Sequence, residues 1–141
     1  MLKIKIFTVG KKPDSWVKQG LFIYTERLKS SLAVEWIYAK DDEALNRYLS
    51  KQPQFVCLDP EGETLSSTQF STFLLHEFEK NGSKIVFVIG GASGLKKQTL
   101  QQASHLISLS TFTFTHQLAK LVLLEQLYRS MQIIKGSPYH K

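Results

Sequence analysis

Lys84-Ile85-Val86-Phe87-Val88-Ile89-Gly90-Gly91-Ala92-Ser93-Gly94 is an unbroken apolar run that feeds straight into a glycine loop. A strand with one wet face alternates apolar and polar residues, whereas one covered on both faces does not; this run therefore reads as a buried strand of a parallel sheet. Upstream, Phe55-Val56-Cys57-Leu58 repeats the signature and is followed by Asp59-Pro60-Glu61-Gly62, the composition of a turn. Between the two runs, Ser66 or Ser67 can cap a helix reaching Lys80, closed by Asn81-Gly82. Downstream, the spacing predicts a helix from about Leu95 to Ala103 and a strand over His105 to Leu109. A polar, aromatic loop follows, Ser110-Thr111-Phe112-Thr113-Phe114-Thr115, then a last helix from about Gln117 to Ile134 with a stripe through Leu118, Leu121, Val122, Leu124, Leu127 and Tyr128.

Towards the start of the chain, residues 2 to 9 read as a strand ended by Gly10. Pro13-Asp14-Ser15 offers turn and cap chemistry for a helix from about Trp16 to Lys29, on which Trp16, Gly20, Ile23, Tyr24 and Arg27 share a helical spacing. Val34 to Tyr38 is a further strand. Asp41-Asp42-Glu43 gives the next helix the negative start its dipole favours, with Ala44, Leu45, Tyr48 and Leu49 directed inward. Strands alternating with helices define an α/β fold, a mostly parallel central sheet with helices on both faces. A chain of 141 residues is long enough for one packed core, so residues 1–141 are expected to form a single domain.

The formal net charge of +6 favours a polyanionic partner through counterion release. No apolar run approaches the roughly 20 residues needed to cross a bilayer. The opening Met1-Leu2-Lys3-Ile4-Lys5-Ile6-Phe7 alternates like a strand and lacks the plan of a signal peptide, so a cytoplasmic location and no membrane partner are expected. The single cysteine, Cys57, excludes an internal disulfide and sits where a buried, inert thiol is expected.

Open α/β sheets bind ligands beyond the carboxyl ends of their strands. Three loops lie there: after Leu58, at Gly90 to Gly94, and at Leu109 to Thr115. The glycine loop lacks the Lys-Ser/Thr ending of a P-loop and the G-x-G-x-x-G of dinucleotide folds, which argues against ATP and NAD. Adjacent glycines permit either close approach of a ligand to the main chain or a tight turn needing positive φ. The Ser/Thr-rich loop could bind a ligand or simply plug Phe112 and Phe114 into the core, and pattern alone favours the core. His116, Arg129 and His140 are candidate acid/base or phosphate-contacting groups. No His, Cys or carboxylate spacing suggests zinc or another metal, and no Ser-His-acid set can be assembled.

Taken together, several ordered motifs resemble one family from end to end. They are Ile6-Phe7-Thr8-Val9-Gly10-Lys11; Leu58 to Gly62; Val86 to Leu95; Thr113-Phe114-Thr115-His116-Gln117-Leu118; Leu124-Glu125-Gln126-Leu127-Tyr128-Arg129; and Gly136-Ser137-Pro138-Tyr139-His140-Lys141. The chain resembles the RlmH family of SPOUT-class methyltransferases of bacterial ribosomal RNA. The resemblance implies an α/β-knot, with a C-terminal trefoil knot, and a homodimer whose RNA site spans both subunits. It also implies S-adenosylmethionine (SAM) as cofactor and N3 of a pseudouridine in a large-subunit (23S) rRNA hairpin loop, on the assembled ribosome, as methyl acceptor. By motif, the cofactor contacts fall on Leu58, Gly90, Gly91, Leu109, Ser110, Thr111, Phe112, Thr113 and Phe114. Catalytic roles fall on Arg129 for phosphate or base orientation, Tyr139 for stacking or hydrogen bonding, and His140 as proton acceptor. The alternative for these three is an arginine paired with Glu125 one helical turn away and a tail that packs across the dimer. The sequence departs from its relatives at Thr115, where proline is common, and at Lys120, where arginine is; the first is expected to loosen the cofactor loop, the second to weaken a phosphate contact. Three other readings remain: a SPOUT methyltransferase of another RNA such as tRNA, a non-catalytic ribosome- or RNA-binding protein, and an α/β enzyme for a small acidic metabolite.

Overall fold

The computed structural model describes all 141 residues. In chain order the elements are β1 (Leu2–Val9), α1 (Ser15–Leu28), β2 (Leu32–Ala39), α2 (Asp42–Leu49), β3 (Val56–Thr64), α3 (Ser67–Lys80), β4 (Lys84–Ile89), α4 (Lys97–Gln102), β5 (His105–Ser108) and α5 (His116–Lys135). The five strands form one sheet in the order β2-β1-β4-β3-β5, and every pairing is parallel. The middle strand is β4, the apolar run with which the sequence is most easily read, and Ile85 to Ile89 are all buried.

Alternation along the strands distributes their side chains between two cores. Ile4, Ile6, Ile85, Phe87 and Ile89 meet α1, α3 and α5, through residues such as Leu28, Leu74 and Leu124. Phe7, Cys57, Val86 and Val88 meet Ala44, Leu45 and Leu49 of α2 on the other face. Local signals start these helices where expected. Asp41 Oδ1 accepts from the Ala44 N–H at 2.8 Å. Ser66 forms a reciprocal box with Gln69: Ser66 Oγ accepts from the Gln69 N–H at 3.1 Å, and Gln69 Oε1 accepts from the Ser66 N–H at 2.8 Å. Ser66→Ala should therefore cost about 1 kcal/mol in denaturant unfolding, with an unchanged fold.

Two expectations are corrected, and the face of α1 that its spacing left open is fixed. Asp59-Pro60-Glu61-Gly62 is not a turn that ends the strand, because β3 continues to Thr64. Leu58 and Glu63 both align with Ile107 of β5, so the intervening residues form a wide bulge. A Cβ on Gly62 would lie 2.6 Å from the Ile107 nitrogen, which is why glycine stands where the bulge crosses β5. On α1 the inward face is Val17, Leu21 and Leu28, and the stripe containing Trp16 and Ile23 faces outward, at 53% and 49% exposure. On α5 the buried face is Lys120, Leu123, Leu124, Leu127 and Ser130, whereas Leu118 is exposed and Leu121 and Val122 are half-buried.

Candidate active site

The bulge in β3 at Leu58 to Pro60 and the carboxyl ends of β4 and β5, together with the starts of α1 and α5, enclose a cleft of about 660 Å³. Its wall contains Leu58, Gly90, Gly91, Leu109, Ser110, Phe112, Thr113 and Phe114, and Thr111 lies outside it. The loop after β5 is held by its own hydroxyls. Ser108 Oγ donates to the Ser110 carbonyl at 2.8 Å, and Ser110 Oγ accepts from the Phe112 N–H at 2.9 Å. Phe112 is 79% exposed and does not plug the core, while Phe114 is half-buried. Thr115 caps α5 by accepting from the Leu118 N–H at 3.2 Å, which ties the end of the loop to the helix and does not loosen it.

The glycine loop folds back on itself. The Gly94 N–H donates to the Gly91 carbonyl at 3.0 Å, and Gly94 takes the left-handed φ of +75°. A Cβ on Gly90 would stand 2.6 Å from the Gly94 carbonyl carbon and 2.8 Å from the Leu95 nitrogen. Glycine at 90 is thus required by the loop's own return, and the positive-φ requirement falls on Gly94 alone.

The wall also includes Asp14, Trp16, Asp59, His116 and Gln117. No Lys or Arg lines it, so its formal charges are two carboxylates in a chain of net charge +6. Asp14 precedes α1 without making a side-chain cap bond, contrary to the cap chemistry expected there. Burial, and secondarily the charge of Lys120, lower the His116 pKa, with Asp14 opposing. Gln117 Oε1 is buried without a partner. Nothing in the sequence marks Asp14, Trp16 and Gln117 as wall residues: Asp14 reads as a cap, Trp16 as one member of a helical spacing, and Gln117 as an ordinary helix start.

Behind this wall Lys120 is fully buried. Its Nζ has no hydrogen-bond partner and lies 5.4 Å from the centre of the Tyr38 ring. Burial lowers its pKa and Asp14 opposes the shift. A phosphate contact from this position is ruled out by its enclosure. Cys57, also fully buried, has its thiol pKa pushed up to about 12 by burial and then by Asp59, consistent with an inert thiol.

Arg129, Tyr139 and His140 come together away from the cleft. Gly136 takes a left-handed φ of +78° and turns the chain at the end of α5; the Ser137 N–H then donates to the Gln132 carbonyl at 3.0 Å. The tail runs back over the helix. Arg129 Nη2 and Nε donate to Glu125 at 2.9 and 3.3 Å, and Tyr139 OH donates to Glu125 Oε2 at 2.9 Å. Arg129 Nη1 lies 3.1 Å from His140 Nδ1, and its guanidinium stacks 4.9 Å from the Tyr139 ring centre. Hydrogen bonding to Glu125 raises the Arg129 pKa; burial, then the Glu125 bond, raises that of Tyr139. Helical rise separates Arg129 from the cleft end of α5 at His116 by about 20 Å.

A family sequence profile described as "Predicted SPOUT methyltransferase" matches residues 2–140. Among solved structures, a probable methylase family protein from Haemophilus influenzae shares 8% identity and superposes with a TM-score of 0.61, over 99% of this chain and 70% of its own. One from Legionella pneumophila, assigned as a methyltransferase and solved with bound SAM, shares 9% identity with a TM-score of 0.53, over 92% of this chain and 66% of its own. The chain belongs to the SPOUT methyltransferases. A relative from Protochlamydia amoebophila named ribosomal RNA large subunit methyltransferase H is 45% identical over the full length of both chains. Another of that name, from Geotalea daltonii, is 36% identical over 99% of each. Within its class, the chain is a member of the RlmH family.

Proposed function

We propose that this protein is a SAM-dependent methyltransferase that methylates 23S rRNA at N3 of a pseudouridine in a hairpin loop of the assembled ribosome. The observation that carries the cofactor is the charge of the cleft: two carboxylates and no cation line it, in an otherwise basic chain. That suits a cationic sulfonium and ammonium and repels a polyphosphate cofactor. The buried, unpartnered Gln117 Oε1 gives a ligand N–H an acceptor. Large-subunit rRNA is the substrate that the names of full-length relatives point to, and the net charge suits it.

SAM supplies an activated methyl group, so the chain must mainly hold donor and acceptor in line and let the acceptor's proton leave. Gly90, Gly91 and Leu58 would set main chain and apolar surface against the cofactor; Leu109, Ser110 and Phe112 to Phe114 would close over it, with Thr111 supporting the loop from outside. Arg129, Tyr139 and His140 would form the acceptor side. In one copy that cluster sits about 20 Å from the cleft end of α5, so a second copy is needed to complete the site. The outward residues Trp16 and Ile23 of α1 and Leu118 of α5 suit a homodimer contact, because a helix apolar on two faces buries both. The reading carries with it the family's C-terminal trefoil knot, a single domain and a cytoplasmic location; no helix is long and apolar enough to cross a membrane.

The test is incubation with radiolabelled SAM and ribosomes from a strain lacking this modification. Label should enter 23S rRNA at a pseudouridine, and Arg129→Ala and His140→Ala should each slow it by more than about tenfold while the protein still sediments as a dimer. Label in tRNA alone would replace the substrate, and SAM binding without transfer to any RNA would leave a binding protein in place of the enzyme.

A further inference from the structure

Glu125 has no assigned role, yet it is the hub of the tail. Its carboxylate accepts from Gln126 Nε2 at 2.8 Å, twice from Arg129, and from Tyr139 OH. The pair is largely shielded, with side-chain exposures of 25% for Arg129 and 20% for Glu125. Three of the five guanidinium N–H groups are then committed, one of them to His140 Nδ1 at 3.1 Å.

This last contact has only one possible polarity. Arginine carries donors and no acceptor, so Nδ1 must accept, and a protonated ring would have no lone pair to offer. The neutral ring therefore carries its proton on Nε2, whose N–H is free to donate elsewhere. We propose that Glu125 is a positioning residue which, through Arg129, locks His140 as its Nε2–H tautomer, so that His140 meets the substrate as a hydrogen-bond donor and not as a proton acceptor. The proposal rests on the reading of the tail as the acceptor side of the site. A uracil-type base presents carbonyl oxygens on both sides of N3, and the charge left when N3 loses its proton spreads onto them. A fixed Nε2–H directed at one of them stabilises that charge. The proton then passes to solvent water as the N–C bond forms and the S–C bond breaks.

Long-range ¹H–¹⁵N spectra of the intact protein, without RNA or SAM, read the tautomer directly, with His140 assigned by its loss in His140→Ala. The expected result is an unprotonated Nδ1 and a protonated Nε2 in the native protein, and a mixture of tautomers in Glu125→Gln. A protonated Nδ1, or a ring already averaged between tautomers in the native protein, overturns the proposal whether or not the protein methylates RNA. The catalytic arm compares His140→Gln with His140→Ala, because a glutamine amide can donate near the Nε2 position but cannot take up a proton. His140→Gln should retain at least about tenfold more activity than His140→Ala, and Glu125→Gln should lower kcat by more than about tenfold with the KM for ribosomes little changed. Equal inactivity of the two His140 variants overturns the donor role. If the native protein methylates no RNA, the functional reading falls and the donor role falls with it, while the spectra still decide the tautomer.

Discussion

Gly90→Ala should weaken SAM binding about a hundredfold, whereas Gly91→Ala should change it by less than about fivefold. The two glycines are adjacent and both line the cleft, so position alone does not separate them. The space around them does. A Cβ at 90 meets the main chain of Gly94 and Leu95 at 2.6 to 2.9 Å, and backbone cannot swing aside as a side-chain tip can. The loop from Gly91 to Leu95, itself a wall of the cleft, must move outward and lose its fold-back geometry. A Cβ at 91 meets Val9, and only its carbonyl oxygen is close, at 3.2 Å, which a few tenths of an ångström relieves. Overpacking costs of about 1–3 kcal/mol set the upper end of the effect, and 3 kcal/mol is about a hundredfold in a dissociation constant. Calorimetric titration with SAM measures it, with circular dichroism confirming that each variant is folded. Equal affinities for the two variants would mean that the Gly90 loop is not part of the cofactor wall.

The legibility of this fold followed burial. The β4 run could be read at once because a strand covered on both faces has no polar positions to confuse with another element. The β3 extension could not, since Pro60 and Gly62 are the residues that usually end strands; here a bulge removes them from the β5 ladder, so the missing N–H of Pro60 costs no pairing. On α1, the stripes through Val17 and Leu21 and through Trp16 and Ile23 are both apolar, and periodicity alone does not say which faces the sheet. Asp14 lies just before α1 and Asp59 in the bulge of β3, far apart in sequence, and only the parallel sheet brings them to one cleft; the net charge of the whole chain even points the other way. Glu125 and Arg129 stand one helical turn apart and their pairing was foreseeable, but nothing periodic says that the residues beyond Gly136 return to that pair. The burial of Lys120 is readable from its spacing. The residue stands one turn before Leu124 and two before Leu127, within the buried stripe.

Lys120→Met should stabilise the protein by about 2 kcal/mol at neutral pH and raise its Tm by roughly 6–8 °C. Removing a buried ammonium from water costs several kcal/mol, and its hydrogen-bonding capacity here is unmet. The compensating contact is the Tyr38 ring face at 5.4 Å, and a cation–π contact of this kind contributes about 2 kcal/mol when desolvated, which does not cover the penalty. Methionine keeps the length and flexibility of the stem without the charge. The same imbalance fixes the pH dependence. The folded-state pKa of Lys120 lies below its unfolded value, so between the two the unfolded chain binds more protons and stability rises with pH. Below the folded pKa the destabilisation is fully present, and it disappears as pH approaches the unfolded value of about 10.4. The advantage of Lys120→Met should therefore be greatest at neutral pH and shrink as the solution becomes alkaline, as read from urea unfolding of both proteins across that range. A methionine variant several kcal/mol less stable at every pH would show that the ammonium has a structural partner, through ordered water or Asp14, and that the buried charge holds the fold together. With the charge gone, the His116 pKa should also rise, because Lys120 is the larger of the two charges acting on it, while the burial that dominates its shift stays in place.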